Sequence, residues 1–339
     1  NYPLPPEVMA RSLAVMEGLL GNTGPMAELV GKAEDVARAM RSPILQLNCA
    51  ELAIEQAAAT GDWHRGIALG EQAIALARDL SQNVILPRVL VWTSLIYLGR
   101  GELDLARPLI EEAWTVSGAE KPEKANIHGA IPAYIGKGYL ALAEEDYDEA
   151  IRIGRAGLEI TDEVGYGLWA LHRLIPLLAE SCLWKGDLEG AREMGERLRQ
   201  SSEPIGHRLG MAWAQTCDAL VTWLEGDSAM GAELMTRAAG ALEEIPMIPD
   251  ATRLRRQLAG RLAEIGDREG ALRELNHVHD TFLRLGAEGE LEKTRGMFRE
   301  LDARPPRKSM EGEGELSSRE LEEARLVEAR KSNKAIARE

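Results

Sequence analysis

The sequence predicts an all-α solenoid of stacked helical hairpins with a period of about 40 residues, ending in a short helical stub. Three observations carry this. The first is composition: 45% of the 339 residues are hydrophobic but only 4% are aromatic, and Ala, Leu, Glu and Arg dominate. Unbranched side chains lose little rotamer freedom in a helix, and no alternating run of β-branched residues marks a strand. The second is a recurring turn, at Gly61, Gly101, Glu145, Gly186, Gly226 and Gly266, with spacings of 40, 44, 41, 40 and 40. The third is a pair of small-residue positions at fixed offsets from that turn.

Each element of the unit has a physical reason. Gly at the turn ends one helix, because it takes the left-handed conformation without a Cβ penalty. The Asp or Glu that follows suits the N-terminus of the next helix. Five residues after the turn stand Gly66, Ala106, Ala150, Ala191, Gly231 and Ala271. Seven residues before it stand Ile54, Ser94, Gly138, Ala179, Ala219 and Ala259, and only Ile54 is large. Small residues at both places let two antiparallel helices approach closely. A single hairpin cannot bury its apolar face, so the units must stack.

The units run in order as TGDWHRGIALGEQAIALA (60–77), RGELDLARPLIEEAW (100–114), EEDYDEAIRIGRAGL (144–158), KGDLEGAREMGERL (185–198), EGDSAMGAELMTRAA (225–239) and IGDREGALRELNHV (265–278). GNTGPMAELVGKA (21–33) reads as a degenerate earlier copy. Pro87, Pro132 and Pro176 fall early in the first helices of their units, where a missing N–H is tolerated; at Pro176 a kink is the other outcome. Residues 282–301 read as a closing helix after a break at Gly286–Gly289. These spacings, with small residues eight and twenty places into each unit, resemble the tetratricopeptide repeat. The period exceeds that family's 34, and its aromatic signature is incomplete. The resemblance covers about residues 7–300, giving a TPR-like repeat domain over 1–301, and it implies a right-handed superhelix.

DARPPRKSMEGEGE (302–315), rich in Pro, Gly and charge, reads as a flexible linker. LSSRELEEARLVEARKSNKAIARE (316–339) then offers Ser317 or Ser318 and later Ser332 as helix caps. This stretch resembles the first half of the LuxR-type helix-turn-helix domain of bacterial transcriptional regulators. The resemblance implies a supporting helix, the first helix of the DNA-binding pair, and a recognition helix beyond Glu339, where the helical pattern is still running. It implies a cytoplasmic protein that meets DNA only through the intact C-terminal domain. The stub holds six Lys or Arg against five Glu, too little charge for strong phosphate attraction alone. Lys334 is the candidate phosphate contact in the intact protein, or a solvated surface lysine.

The net charge of −15 argues against the repeat region wrapping nucleic acid. No apolar run reaches membrane-spanning length. GPMAELVGKAE (24–34) has the wrong spacing for a phosphate-binding loop, and Ala33 replaces the hydroxyl such a loop needs. His277 and His279, two apart, point to different sides of a helix, unlike a metal-binding i, i+4 pair. Cys49, Cys182 and Cys217 read as buried thiols. No enzymatic constellation and no cofactor is expected.

A groove remains. Aligning the units on their turns puts Asn48, Arg88, Pro132, Arg173, Trp213 and Arg253 in one column of the concave surface, with Arg256 nearby. The groove set is Arg88, Arg173, Trp213, Arg253 and Arg256, suited to an acidic peptide or small anionic effector. The bland reading is that these arginines pair with Glu51, Glu55 and Glu180 in a solvated network. The function this implies is a sensing and protein-interaction region relaying a signal to a DNA-binding domain, through superhelix pitch or self-association. An interaction scaffold with no transcriptional role is the alternative.

Overall fold

The computed structural model describes residues 13–15, 17, 18, 22–121 and 125–306. The chain divides into two units, Asn1–Arg304 and Pro305–Glu339. The expectations for 316–339, including Lys334, and for most of the 302–315 linker therefore lie outside the described residues.

The described part is all helical. α1 (Thr23–Ala39) leads, and six helical hairpins follow. Around Gly61 stand α2 (Pro43–Thr60) and α3 (Trp63–Asp79); around Gly101, α4 (Leu86–Arg100) and α5 (Leu103–Ser117). Around Glu145 stand α6 (Ile127–Ala143) and α7 (Tyr147–Val164); around Gly186, α8 (Ile175–Lys185) and α9 (Leu188–Ser202). Around Gly226 stand α10 (Arg208–Leu224) and α11 (Ser228–Glu244); around Gly266, α12 (Ile248–Glu264) and α13 (Arg268–Leu285). α14 (Glu288–Glu300) closes the array.

The turns work as their residues dictate. All six turn positions have positive φ, from 61° at Glu145 to 102° at Gly226. The acidic residue that follows caps the next helix in four hairpins: Asp146, Asp187, Asp227 and Asp267 each accept the backbone N–H three residues on. Behind the turn, the small residues sit where the helices cross. Ala106, Ala150, Ala191 and Ala271 are fully buried. At Gly231 a Cβ would fall 2.8–2.9 Å from the backbone of Trp223 on the paired helix, so only hydrogen fits there.

α8 departs from the common pattern. It is entered through a short turn, Gly167–Trp169, and a π-helical turn, Ala170–Leu174. Pro176 explains the departure: it has no N–H for the carbonyl of His172, and its ring crowds that carbonyl. The wider turn relieves the clash. Pro87, by contrast, lies in the first turn of α4, while Pro132 lies inside α6, later than the sequence suggested.

The superhelix comes round on itself. One apolar core runs from Leu47 and Ile54 of α2 through Trp92 and Ile135 to Phe282, Leu285 and Leu291 of the last helices. Gly61 lies against Leu285 and Ile248. Where Gly101 meets Gly289, a Cβ on Gly101 would be 3.5 Å from the Gly289 Cα. The last hairpin and α14 thus pack on the first two hairpins, and the first helices of the units line a partly open lumen.

Glu145 is the one turn position that bears a side chain at positive φ (61°). Glu145→Gly should stabilise the protein by about 1 kcal/mol by removing the Cβ–carbonyl crowding of the left-handed region. Urea unfolding checks this, with Glu145→Ala as the control that keeps the Cβ and gains little.

Candidate functional site: a charged lumen

The first helices of the hairpins carry an unusual load of buried charge. Glu51 and Glu55 of α2, Arg88 of α4, His172 and Arg173 of the π-helical turn, and Asp250 of α12 are all buried. Burying charge is costly unless it is paired, and most of it is. Arg88 lies 2.5 Å from Glu51 and stacks over the Trp169 ring at 5.5 Å. Trp169 in turn stacks on the fully buried Trp92, with ring centres 5.9 Å apart. His172 Nε2 is 3.1 Å from Glu55. Burial pushes the Glu55 carboxyl up, but the His172 hydrogen bond and the charges of His172, Arg173 and Arg88 hold it, on balance, below the usual carboxylate range.

Beside this layer lies a cavity of about 500 Å³. Its charged lining is Arg173, Glu180, Asp250, Arg253, Arg256, Glu290 and Lys293, with Glu145 at a turn, and Trp63, Tyr139, Tyr147, Trp184 and Phe282 add aromatic faces. Arg253 donates to Asp250. Glu290 accepts from Arg256 at 2.8 Å and from Lys293 at 3.0 Å. Burial, aided by Asp250 and Glu180 against Arg173 and Arg253, pushes the Tyr139 hydroxyl up to about 12, so it stays neutral and can donate. A smaller apolar annex of about 130 Å³ shares Glu180, Trp184, Asp250, Arg253 and Gln257 with the cavity. Trp213, Leu220, Leu224, Leu242 and Leu254 line it.

Of the five groove residues read from the sequence, Arg173, Arg253 and Arg256 line the one cavity, and Trp213 joins Arg253 in the annex. Arg88 lines neither; it belongs to the ion pair with Glu51. The arginine–glutamate pairing weighed against ligand binding does occur at Arg88, where it is buried with Glu51, while Arg256 forms a half-buried pair with Glu290, a partner not foreseen. Sequence alignment on the turn missed Glu290 and Lys293, because they come from the closing helix. They reach the cavity only because the superhelix returns. Asp250 was legible in principle, three residues before Arg253 on the same helix face.

Other candidates lie apart. His277 is half-exposed and 3.5 Å from Glu243, while His279 is buried edge-on to Phe298 at 6.1 Å. The three cysteines are buried and unbridged. Burial, with the charge of Asp218, pushes the Cys217 thiol up to about 12, which leaves it unreactive. Among the described residues no helix is long and apolar enough to cross a membrane.

The fold is similar to that of a solved helical structure, RapI. The apo form of RapI has a TM-score of 0.55 at 11% identity, over 85% of this chain and 99% of RapI. BtubC (BKLC) from P. vanneervenii has a TM-score of 0.44 at 13% identity, over 76% of this chain and 98% of BtubC. Likeness at such identities is one of fold alone. No protein-family model and no curated protein matches the chain.

Because Glu55 is held low in the folded protein, its ionised form contributes stability that is present above the ordinary unfolded value and lost as pH falls through the folded one. Unfolding free energy should therefore drop on the acid side of the carboxylate range. In Glu55→Gln that acid-side slope should shrink while His172 loses its partner and neutral-pH stability falls. Urea titrations at a series of pH values measure both.

Proposed function

We propose that residues 1–301 form the sensing and interaction region of a LuxR-type transcriptional regulator. It receives an effector or protein partner in the lumen and relays occupancy to a C-terminal DNA-binding domain that begins at residue 316. The cavity carries this reading. A repeat array that served only as a spacer would have no use for a lumen of about 500 Å³ walled by aromatic rings and charged groups. That volume lies within the range typical of small-molecule sites. The regulatory half of the reading is supported by the resemblance of residues 316–339, and a cytoplasmic location goes with it.

We read the lumen as receptive rather than catalytic. Its acidic and basic groups are mostly bound to one another, and no nucleophile–base pair is set into its wall. The likeness of fold to RapI supports the coarser statement, a helical-repeat scaffold that binds a partner, equally well.

The coding sequence beyond Glu339 separates the two. The regulator reading expects a G-[IV]-S-x-x-T-V-K-like turn and recognition helix within about one further helical hairpin's length. A stop codon directly after Glu339 would leave the scaffold and remove the regulator.

A further inference from the structure

The cations of the lumen are not equivalent. Arg253 is held by Asp250, and Arg256 and Lys293 by Glu290. The charges of Glu180 and Glu290 also fall on Arg253. Arg173 stands apart. It is 6% exposed, and its N–H groups make no hydrogen bond or ion pair among the described residues; Nε is enclosed without an acceptor. Its charge reaches Glu55, but that carboxylate is engaged by His172 at 3.1 Å. A guanidinium has five N–H donors in a planar fork matched to a carboxylate. Burying one without acceptors is costly, and Arg173 is set in the cavity wall, where an acceptor from a guest can reach it.

The π-helical turn is what puts it there. His172 and Arg173 are neighbours, and both are buried. The wider turn forced by Pro176 lets one serve Glu55 and the other face the cavity.

The second observation is the annex. It lies across the shared rim of Glu180, Trp184, Asp250, Arg253 and Gln257, and its wall carries five leucines and two tryptophans. Trp184 and Leu224, both in that wall, are 48% and 43% exposed, an unusual state for large apolar side chains beside a cavity. The buried Trp213 indole N–H also lacks an acceptor among the described residues.

We propose that the lumen binds a small amphipathic monocarboxylate, its carboxylate on the Arg173 fork and its apolar body in the annex between Trp184 and Trp213. This rests on the reading of the lumen as a guest site. One negative charge is specified rather than several: with the other cations engaged, a second anionic group would meet Asp250, Glu180 and Glu290. The same chemistry is carried by a free carboxylic acid and by the apolar C-terminal residue of a short peptide.

The test titrates the full chain with 4-phenylbutyrate, its neutral analogue 4-phenylbutan-1-ol, and N-acetyl-Ala-Leu with a free or amidated C-terminus. Binding is read by indole fluorescence and calorimetry. The acid should bind with a dissociation constant of about 1 mM or tighter, and the alcohol about tenfold more weakly or worse. Arg173→Gln should weaken the acid by about tenfold to a hundredfold and leave the alcohol unchanged, which shows that the variant is folded. Arg173→Lys should restore part of the loss, since it returns charge without the fork. Preference for the free-ended peptide over both its amide and 4-phenylbutyrate would assign the carboxylate to a peptide end; the reverse order would assign it to a free acid. Equal binding of acid and alcohol, abolished by Leu220→Trp in the annex, would overturn the carboxylate proposal and leave the guest site standing. An acid affinity unmoved by Arg173→Gln would do the same. Silence of every probe, the neutral one included, would sink both.

Discussion

Everything in this molecule depends on how closely two antiparallel helices can approach behind a left-handed turn. The turn fixes the direction of the second helix, and the buried Ala or Gly five residues on fixes the distance. At Gly231 the partner backbone occupies the space a methyl group would need. Because that spacing is repeated at nearly constant intervals, each hairpin adds a similar rotation, and a superhelix accumulates.

The accumulated rotation decides what kind of surface the first helices present. In an array that stays open they would line a groove, and the charges on them would be hydrated. Here the winding returns within the described length, so Phe282 and Leu291 join the same core as Leu47 and Trp92. Part of the column that faces inward, Arg88, Pro132 and Arg173, is thereby withdrawn from water, while Asn48, Trp213 and Arg253 stay half-buried. That is why Glu51, Glu55, Arg88 and Asp250 are paired within the wall, where an ion pair must be complete or it destabilises the fold. Arg173 is the departure from that rule, and it borders the lumen.

Much of this architecture is legible in the sequence, because local chemistry repeats. Gly101, Gly186, Gly226 and Gly266 signal their turns by the conformation they alone take cheaply, and Asp187 or Asp267 signals the helix start by its capping oxygen. Arg173, Arg253 and Arg256 could be placed on one inner wall by counting back from those turns. The closure could not be read. It depends on the sum of small rotations over six units, to which no single residue bears witness, and so Glu290 and Lys293 of α14 were invisible as partners for the lumen. Arg88 lies away from the cavity for a related reason. It occupies the same column as Arg173, but Glu51 one hairpin earlier reaches it and Trp169 covers it. The π-helical turn is intermediate: Pro176 announced a disturbance, but whether the chain would kink or widen was settled by packing.

The contact of Gly101 with Gly289 changes the character of the whole array. A linear repeat protein behaves as a chain of neighbours, able to fray at either end while its middle persists. Bringing distant ends together turns that chain into a hoop, in which the terminal units brace each other and melting becomes a shared event.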